Sequence, residues 1–356
     1  MWAEINNGTV DESRRLQYWE HRVKFTTSQW RVLPFLDDCD QFKKANVLSS
    51  FAVGVRNGDY GRGNRVTAQS VDRALRAVGQ TIQLAGGQDP TKVHGGRERI
   101  LQLRRQLESY RRADPPPKPQ LAIPVSVIER LQEKAFATGR DSSTAEVADL
   151  ATIAFFFLLR VGEYTMPASN RRTRTVQFRV LDVRFYKNGI IIPNTAPLCL
   201  LVQADGVSLC ISNQKNGTRG ETIHQHALLG RGICPMCALA RRVAAIMALT
   251  GDEDTPIFLL SNGKHATAAM VRTEVRASVA ELRLYKQGIK TCDVSSHSLR
   301  TGGAMAMKLN GCDLITIMKA GRWTSLTFLT YIHNQIAHLG ANITARMANP
   351  VPFFSF

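Results

Sequence analysis

The stretch His297-Ser298-Leu299-Arg300, followed by Gly321-Arg322-Trp323 and then by Tyr331, carries the strongest signal in this sequence. Residues three apart on a helix share a face, so the histidine and the first arginine would lie side by side. Two further candidate cations, Arg160 and Lys215, precede them in the chain. A tyrosine nucleophile that attacks a phosphodiester needs cations gathered around its phenol. The pattern therefore predicts phosphoryl-transfer chemistry.

The composition describes a folded, strongly basic protein. The chain has 356 residues, which is enough for about two domains of roughly 150 residues each. An apolar content of 44% is enough to form hydrophobic cores. The 46 basic and 29 acidic residues leave a net charge of +17, spread along the chain. The natural partner of such a chain is a nucleic acid, and the alternative is a soluble protein that is merely basic.

Three features of the sequence bear on the compartment. The first residues lack the apolar core of a signal peptide. The longest apolar run, Leu150–Leu159, is about half the length that a membrane span needs. The seven cysteines are odd in number and irregularly spaced, which is typical of a reducing compartment. We expect an intracellular protein without a membrane segment, in the nucleus if the host is eukaryotic.

A proline-rich segment divides the chain. The residues from Ala113 to Pro119 include four prolines, which cannot continue a helix and favour a stiff linker. We predict a helical domain over residues 1–112, a linker over 113–123 and a second domain over 124–356.

The apolar spacing predicts a mainly α protein whose second domain is α+β. Segments with helical spacing are Thr67–Leu84, Arg97–Arg112 and Val125–Thr138. Ser143–Glu146 has a capping-box pattern and would open a buried helix. A small antiparallel sheet is predicted from three strand-like segments, Thr175–Phe185, Gly189–Pro193 and Val207–Ser212.

Two local patterns predict close approaches and helix ends near the C-terminal motif. Gly302 and Gly303 would each cost about 1 kcal/mol inside a helix, so another helix or a phosphate backbone must come close there. Asp313 is placed to begin the next helix and Gly321 to end it in the left-handed conformation.

A glycine-rich basic loop and its surroundings supply candidate DNA contacts. The loop over residues 56–65 could bring its backbone close to phosphates, although a flexible solvated turn explains it equally well. The candidate DNA-contacting residues are Arg56, Arg62, Arg65, Arg73, Arg76 and Arg219.

The second domain resembles the tyrosine recombinases, the phage-integrase superfamily. The residues that follow the order used by this family are Arg160–Glu163, Lys215, His297, Arg300, Trp323 and Tyr331. The sequence is similar above all to the eukaryotic mobile-element branch, the Crypton and DIRS-type recombinases, in Gln214–Gly220, His297–Ala304 and Gly321–Ile332. The resemblance covers the whole second domain and, more weakly, the first domain and the linker.

One departure from the family pattern concerns Trp323. Many bacterial members carry histidine there, and their gap to the tyrosine is commonly one residue longer than the gap to Tyr331. The mobile-element branch tolerates both features, so we expect an active enzyme.

The resemblance implies a site-specific DNA recombinase. Residues 1–112 would be a helical core-binding domain and residues 124–356 the catalytic domain, together forming a clamp around double-stranded DNA. The protein would be a monomer off DNA and a homotetramer on paired sites. We expect no metal and no cofactor, because arginines supply the charge and a 3′-phosphotyrosine conserves the bond energy.

Each candidate catalytic residue has a role that its chemistry permits. Arg160 and Arg300 would clamp the non-bridging phosphate oxygens, and Tyr331 would attack the phosphorus. His297 is the candidate proton acceptor, and Lys215 the candidate acid that protonates the leaving 5′-oxygen.

The two remaining site residues would support the others. Trp323 could donate its indole N–H to the phosphate and pack the site. Glu163 would orient His297 or Arg160.

Zinc is an alternative use of a second cluster. Cys234 and Cys237 have zinc-like spacing, and His224 and His226 lie nearby in the sequence. A small cysteine at the start of an apolar helix is nevertheless ordinary, and the recombinase resemblance implies no zinc here. We therefore expect no metal at this cluster.

Two other functions compete with recombination. A type IB topoisomerase shares this active-site chemistry but exchanges no strands. A domesticated DNA-binding protein would keep the fold without catalysis, although every catalytic position of this chain is occupied. The sequence does not identify the DNA target, the direction of recombination or any accessory factor.

Overall fold

The computed structural model describes most of the chain. The described residues are 12–37, 39–61, 63–94, 96–116, 121–140, 142–167, 176–211, 220–228, 230, 232–323 and 329. The chain divides into two compact units, Met1–Pro117 and Lys118–Phe356, so the division falls within the segment predicted as a linker. In the described part, no helix is long and apolar enough to cross a membrane.

The first unit is helical where it is described. Its helices are α1 (Glu12–Phe25), α2 (Gln41–Asn57), α3 (Ala68–Leu84) and α4 (Leu101–Ala113), with a π-helical turn at Thr26–Trp30. The apolar stripe predicted for α3 is buried. Helix α4 begins four residues later than the predicted Arg97, because Lys92 and Arg99 form a β-bridge and Ile100 is extended.

The second unit combines helices with one small sheet. Its helices are α5 (Val125–Ala137), α6 (Ser143–Phe156), α7 (Val161–Tyr164), α8 (Leu198–Leu201), α9 (Pro235–Thr250), α10 (Ala268–Glu281), α11 (His297–Leu309) and α12 (Leu314–Gly321). Short 3-10 turns lie at Val180–Asp182, Leu284–Gln287 and Thr291–Asp293. The predicted fold class, mainly α with a small antiparallel sheet, is confirmed.

Helix α6 is the centre of the second unit. It is buried along nearly its whole length, as its apolar sequence predicts, and α5, α9, α10 and α11 all pack against it. Its cap differs from the prediction: Ser142 Oγ accepts the N–H of Ala145 at 3.2 Å. The predicted capping box is wrong, because Glu146 is instead paired with the buried Arg242 and accepts the N–H of Ser261.

The sheet has four antiparallel strands in the order β2-β1-β3-β4. They are β1 (Val183–Lys187), β2 (Ile190–Ile192), β3 (Gly206–Cys210) and β4 (Thr222–His226). Strand β1 is shorter than predicted, because Asp182 accepts the N–H of Arg179 at 2.9 Å and closes a 3-10 turn before it. Gln225 on β4 donates to the Phe156 carbonyl at 2.8 Å, which ties the sheet to the end of α6.

The two glycines of α11 are required by close packing. A Cβ on Gly303 would lie 2.2 Å from the Phe155 carbonyl oxygen of α6. A Cβ on Gly302 would lie 2.4 Å from the Ile123 carbonyl oxygen, just before α5. Of the two predicted explanations for these glycines, the structure confirms an approach by other parts of the protein.

We predict that Gly303→Ala destabilises the second unit by about 1–3 kcal/mol, because α11 must move away from α6 to admit the methyl group. Urea unfolding followed by circular dichroism measures the change. The matched control is Gly232→Ala, since Gly232 has no atom within 4 Å of an added Cβ and no left-handed backbone. Equal stability of the two variants would contradict the packing explanation.

Candidate active site

The C-terminal end of α6 forms the base of the candidate active site. Leu158 has a positive φ of 50°, and the N–H of Leu159 bonds back to the Ala154 carbonyl at 3.0 Å. The chain therefore turns sharply, and the Leu158 carbonyl is directed at incoming donors. Carbonyl groups at a helix C-terminus carry partial negative charge, which favours cations.

Arg300 fills this position. Its guanidinium is on α11, is only 6% exposed and donates to the carbonyl oxygens of Leu158 and Gly321. These two oxygens belong to the ends of α6 and α12, so one side chain joins the ends of two helices. Its Cζ also lies 4.3 Å from the centre of the Trp323 ring, which covers it in a cation–π contact.

The end of α12 is built differently from the sequence prediction. Asp313 caps the start of α12 as predicted, accepting the N–H of Thr316 at 2.9 Å. The left-handed residue at its end is Arg322, with φ 56°, so the prediction for Gly321 is wrong. Gly321 is small for another reason: an added Cβ would lie 1.7 Å from the Trp323 ring. The absence of a side chain on Gly321 thus lets the Trp323 ring pack against the end of α12 and over the Arg300 guanidinium.

Arg160 and Glu163 form a short, locally closed unit at the start of α7. The Glu163 carboxylate accepts the backbone N–H of Arg160 at 2.8 Å and its Nη1 at 3.2 Å. Glu163 is 2% exposed, whereas the Arg160 side chain is partly exposed, so a buried carboxylate holds a guanidinium that solvent can reach. Of the two predicted roles for Glu163, the described contacts match the orientation of Arg160.

Sequence reasoning missed a third arginine in the same network. Arg322 Nη2 donates to Glu163 at 2.9 Å and to the Leu158 carbonyl at 3.0 Å. Burial, together with the charge of Arg160, lowers the pKa of Arg322, while the charge of Glu163 opposes the shift. Arg322 lies within the Gly321-Arg322-Trp323 motif, but its position there did not indicate a role for its own side chain.

The residues that flank the β3–β4 connection bond to each other. Backbone bonds between Ile211 and the pair Gly220 and Glu221, each of 2.8 Å, close the base of that connection. The charge of Glu221 acts to raise the pKa of Arg322, against the larger lowering by burial. Lys215 and Arg219 fall between these residues and lie outside the described part of the chain.

His297 and Tyr331 complete the predicted set. His297 is the first residue of α11, one turn before Arg300, and its ring is exposed. Tyr331 lies outside the described residues. The structure therefore links Arg160, Glu163, Arg300 and Trp323 in one connected cluster, with His297 on the same helix as Arg300.

The predicted DNA contacts of the first unit fall into two groups. Arg56 is 4% exposed, is paired with Asp114 and stacks on the Tyr110 ring at 5.0 Å. It also holds the two ends of the glycine-rich loop together through Val66, which favours a structural role. The exposed arginines are Arg65, Arg73 and Arg76, of which Arg76 is paired with Asp72 at 2.5 Å. Arg62 lies outside the described residues.

The candidate zinc residues have local partners. Cys234 caps α9, and its Sγ accepts the N–H groups of Leu228 at 3.3 Å and Cys237 at 3.5 Å. The thiol of Cys237 and these N–H groups lower the pKa of Cys234 to about 5. His224 and His226 lie on β4. Among the described residues, no group of three or more His, Cys, Asp or Glu side chains could hold a metal ion.

Comparison with known proteins identifies the fold. No family model matches the sequence, and no curated protein matches it. The solved structure of the Tn1549 transposon integrase in complex with transposon right end DNA is 12% identical, with a TM-score of 0.52 over 97% of this chain and 96% of that chain. The XerH site-specific recombinase bound to palindromic difH substrate, a post-cleavage complex, is 16% identical, with a TM-score of 0.53 over 93% of this chain and 79% of that chain.

The chain has the fold of the tyrosine recombinases and integrases. The similarity extends over nearly the whole chain, so the recombinase fold accounts for both units. The superfamily resemblance seen in the sequence is thus confirmed at the level of fold, whereas these neighbours give no support to the Crypton or DIRS-type branch.

Within this recombinase fold, we predict that two arginines of the first unit have different roles: one stabilises the unit and the other contacts DNA. Arg56→Ala should lower stability, because it removes a buried guanidinium that pairs with Asp114 and stacks on the Tyr110 ring. Arg73→Ala should leave stability unchanged and weaken DNA binding, with a salt-dependence slope smaller by about 0.9.

Thermal unfolding and DNA titrations at several salt concentrations measure both quantities. A stable Arg56→Ala variant with weakened DNA binding would contradict the structural role. An Arg73→Ala variant with an unchanged slope would remove Arg73 from the DNA contacts.

Proposed function

We propose that this protein is a tyrosine recombinase that cleaves and rejoins double-stranded DNA through a 3′-phosphotyrosine intermediate. The observation that carries the proposal is the joining of Arg160 and Arg300 by one buried network at the Leu158 carbonyl and Glu163. The recombinase fold and the net charge of +17 support it.

The arginines would act on the charge that develops at phosphorus. Attack on a phosphodiester produces a pentacovalent transition state with extra negative charge on the non-bridging oxygens. Arg160 and Arg300 are held by protein contacts before DNA arrives, so little reorganisation is needed when that charge forms. Removing one such preorganised donor typically lowers the rate by about 10²–10³.

The bonds that form and break in the reaction give each remaining residue a role. The Tyr331 phenol oxygen attacks phosphorus while its proton passes to His297, and the bond between phosphorus and the 5′-oxygen breaks. Lys215 protonates the departing 5′-oxygen. A 5′-hydroxyl from a second strand can then attack the phosphotyrosine and release Tyr331, so rejoining needs no nucleotide hydrolysis. Trp323 would hold Arg300 in place by covering its guanidinium.

The assembly and the biological role extend this proposal. We infer that the helical first unit binds the DNA beside the cleavage site, with the exposed arginines of α3 and its preceding loop facing the phosphates. Strand exchange needs paired sites, which a homotetramer would supply, with the free protein a monomer. The sequences of the motifs resemble the Crypton and DIRS-type branch. This resemblance supports a role in integrating a mobile element and a location in the nucleus of a eukaryotic host.

We predict that the wild-type protein becomes covalently attached to DNA and that Tyr331→Phe does not, because the substitution removes the attacking oxygen while keeping the ring. The substrate is a pool of random-sequence duplexes, each nicked so that the fragment after the cut diffuses away. Protein-linked DNA is recovered under denaturing conditions and sequenced, and the linked peptide is found by mass spectrometry.

The three candidate functions give different results in this experiment. A wild-type adduct at a defined sequence supports a recombinase, and an adduct at many unrelated sequences supports a topoisomerase-like enzyme. DNA binding without any adduct supports a domesticated binding protein. An adduct formed by Tyr331→Phe would refute the nucleophile assignment.

We predict that Lys215→Ala slows cleavage because the 5′-oxygen leaves unprotonated. A substrate with sulfur at the bridging 5′ position should restore the rate, since a thiolate leaves without a proton. Single-turnover adduct formation on the recovered sequence measures the rates of the wild type and Lys215→Ala on both substrates. If the sulfur substrate gives no rescue while DNA binding is intact, Lys215 is not the acid.

A further inference from the structure

We propose that Arg322 is a positioning residue of the active site, which fixes the geometry of Arg160 and Arg300 relative to each other at the scissile phosphate. This inference rests on the proposed function, because it concerns the same site and the same reaction.

The contacts of Arg322 connect the two candidate phosphate clamps. Its Nη2 reaches Glu163 at 2.9 Å, and Glu163 in turn holds both the backbone and the guanidinium of Arg160. The same Nη2 reaches the Leu158 carbonyl at 3.0 Å, and that carbonyl also accepts Arg300. An unbroken chain of hydrogen bonds therefore runs from Arg160 to Arg300 through Arg322.

The end of α12 alone does not account for an arginine at position 322. The backbone there is left-handed, with φ 56°, and the N–H of Trp323 bonds to the Met318 carbonyl at 3.0 Å. This helix ending usually carries glycine, which adopts the left-handed conformation without strain. A residue that only ended α12 would be better as glycine.

Burial makes the arginine more unfavourable still. Arg322 is 5% exposed, and its Nε and Nη1 have no hydrogen-bond partner among the described residues. Burying a charged guanidinium with unpaired donors opposes folding. Strain, burial and unpaired donors thus coincide at one residue, and the contacts that it makes are to the network that holds Arg160 and Arg300.

Charge gives the arrangement a direct consequence for the reaction. Glu163 is buried beside Arg160, and with a single partner its negative charge would largely cancel that arginine. Arg322 shares the Glu163 carboxylate, so the cluster of three arginines and one glutamate has a formal charge of +2, compared with +1 in its absence. Loss of Arg322 should therefore both loosen Arg160 and reduce the positive potential at the phosphate.

The test compares cleavage of two forms of the DNA sequence recovered by trapping. One form has the normal scissile phosphate. The other has a methylphosphonate there, in which a methyl group replaces one non-bridging oxygen and removes its charge. Adduct formation under single-turnover conditions and DNA affinity are measured for the wild type, Arg322→Gln and Arg322→Lys.

On the phosphate substrate, Arg322→Gln should form the adduct about 10–100-fold more slowly than the wild type, with affinity for DNA within about 3-fold. On the methylphosphonate substrate the difference should shrink to within about 3-fold, because less charge needs stabilising. Arg322→Lys keeps the charge but loses the planar fork of the guanidinium. Its rate on the phosphate substrate should therefore lie between those of the wild type and Arg322→Gln. If Arg322→Gln does not fold, the slowing of Arg322→Lys relative to the wild type is compared between the two substrates instead.

The matched control is Arg283→Gln. Like Arg322, Arg283 is an arginine at a helix end with a positive φ, of 51°, but it is exposed and the contacts described for the arginine network do not include it. This variant should keep the wild-type rates on both substrates. Equal slowing of Arg322→Gln on both substrates, or no slowing on either, would overturn the positioning role while leaving the proposed function intact. A wild-type protein that forms no adduct at all would overturn both.

Discussion

The described site depends on the carbonyl oxygen of Leu158, which accepts hydrogen bonds from both Arg300 and Arg322. A buried guanidinium is unfavourable unless acceptors and negative charge surround it. The end of α6 supplies one acceptor, the end of α12 supplies another, and Glu163 supplies the charge. The candidate catalytic cations can therefore be held inside the protein because two helices end at the same place.

The packing of the second unit brings these helix ends together. Helix α11 lies against α6 only because Gly302 and Gly303 have no side chains, and this contact sets Arg300 beside Leu158. Gly321 also permits a close contact, at the end of α12, where it lets the Trp323 ring cover Arg300. Gln225 joins β4 to the end of α6, so the sheet is attached at the same point. The contacts that pack the second unit thus also hold the candidate catalytic arginines.

The sequence predicted what short-range patterns can determine. The helical spacing of α3 and α5, the cap at Asp313 and the close approach at Gly302 and Gly303 all follow from local rules, and the structure agrees with them. The failures have a common cause. Glu146 could not be recognised as a partner of Arg242, because 96 residues separate them in the sequence and capping rules use only neighbouring residues.

The same limit applies to the arginines. Arg56 and Arg322 look like ordinary surface cations in the sequence, and only the fold shows that both are buried and hydrogen-bonded. Arg160 and Arg300 were identified because their order along the chain resembles a known family, whereas the network that joins them depends on tertiary contacts. Motif order therefore predicted candidate residues, and tertiary packing determines how Arg160 and Arg300 are joined.

A crystal structure of the covalently trapped DNA complex tests the central claim most directly, through the distances from the phosphate attached to the protein to the two arginines. We predict phosphorus bonded to the Tyr331 oxygen, with guanidinium nitrogens of Arg160 and Arg300 about 2.7–3.2 Å from the non-bridging oxygens. We also predict that Arg322 still bridges Glu163 and the Leu158 carbonyl. Phosphorus on another side chain, or a phosphate out of contact with both arginines, would contradict the central claim.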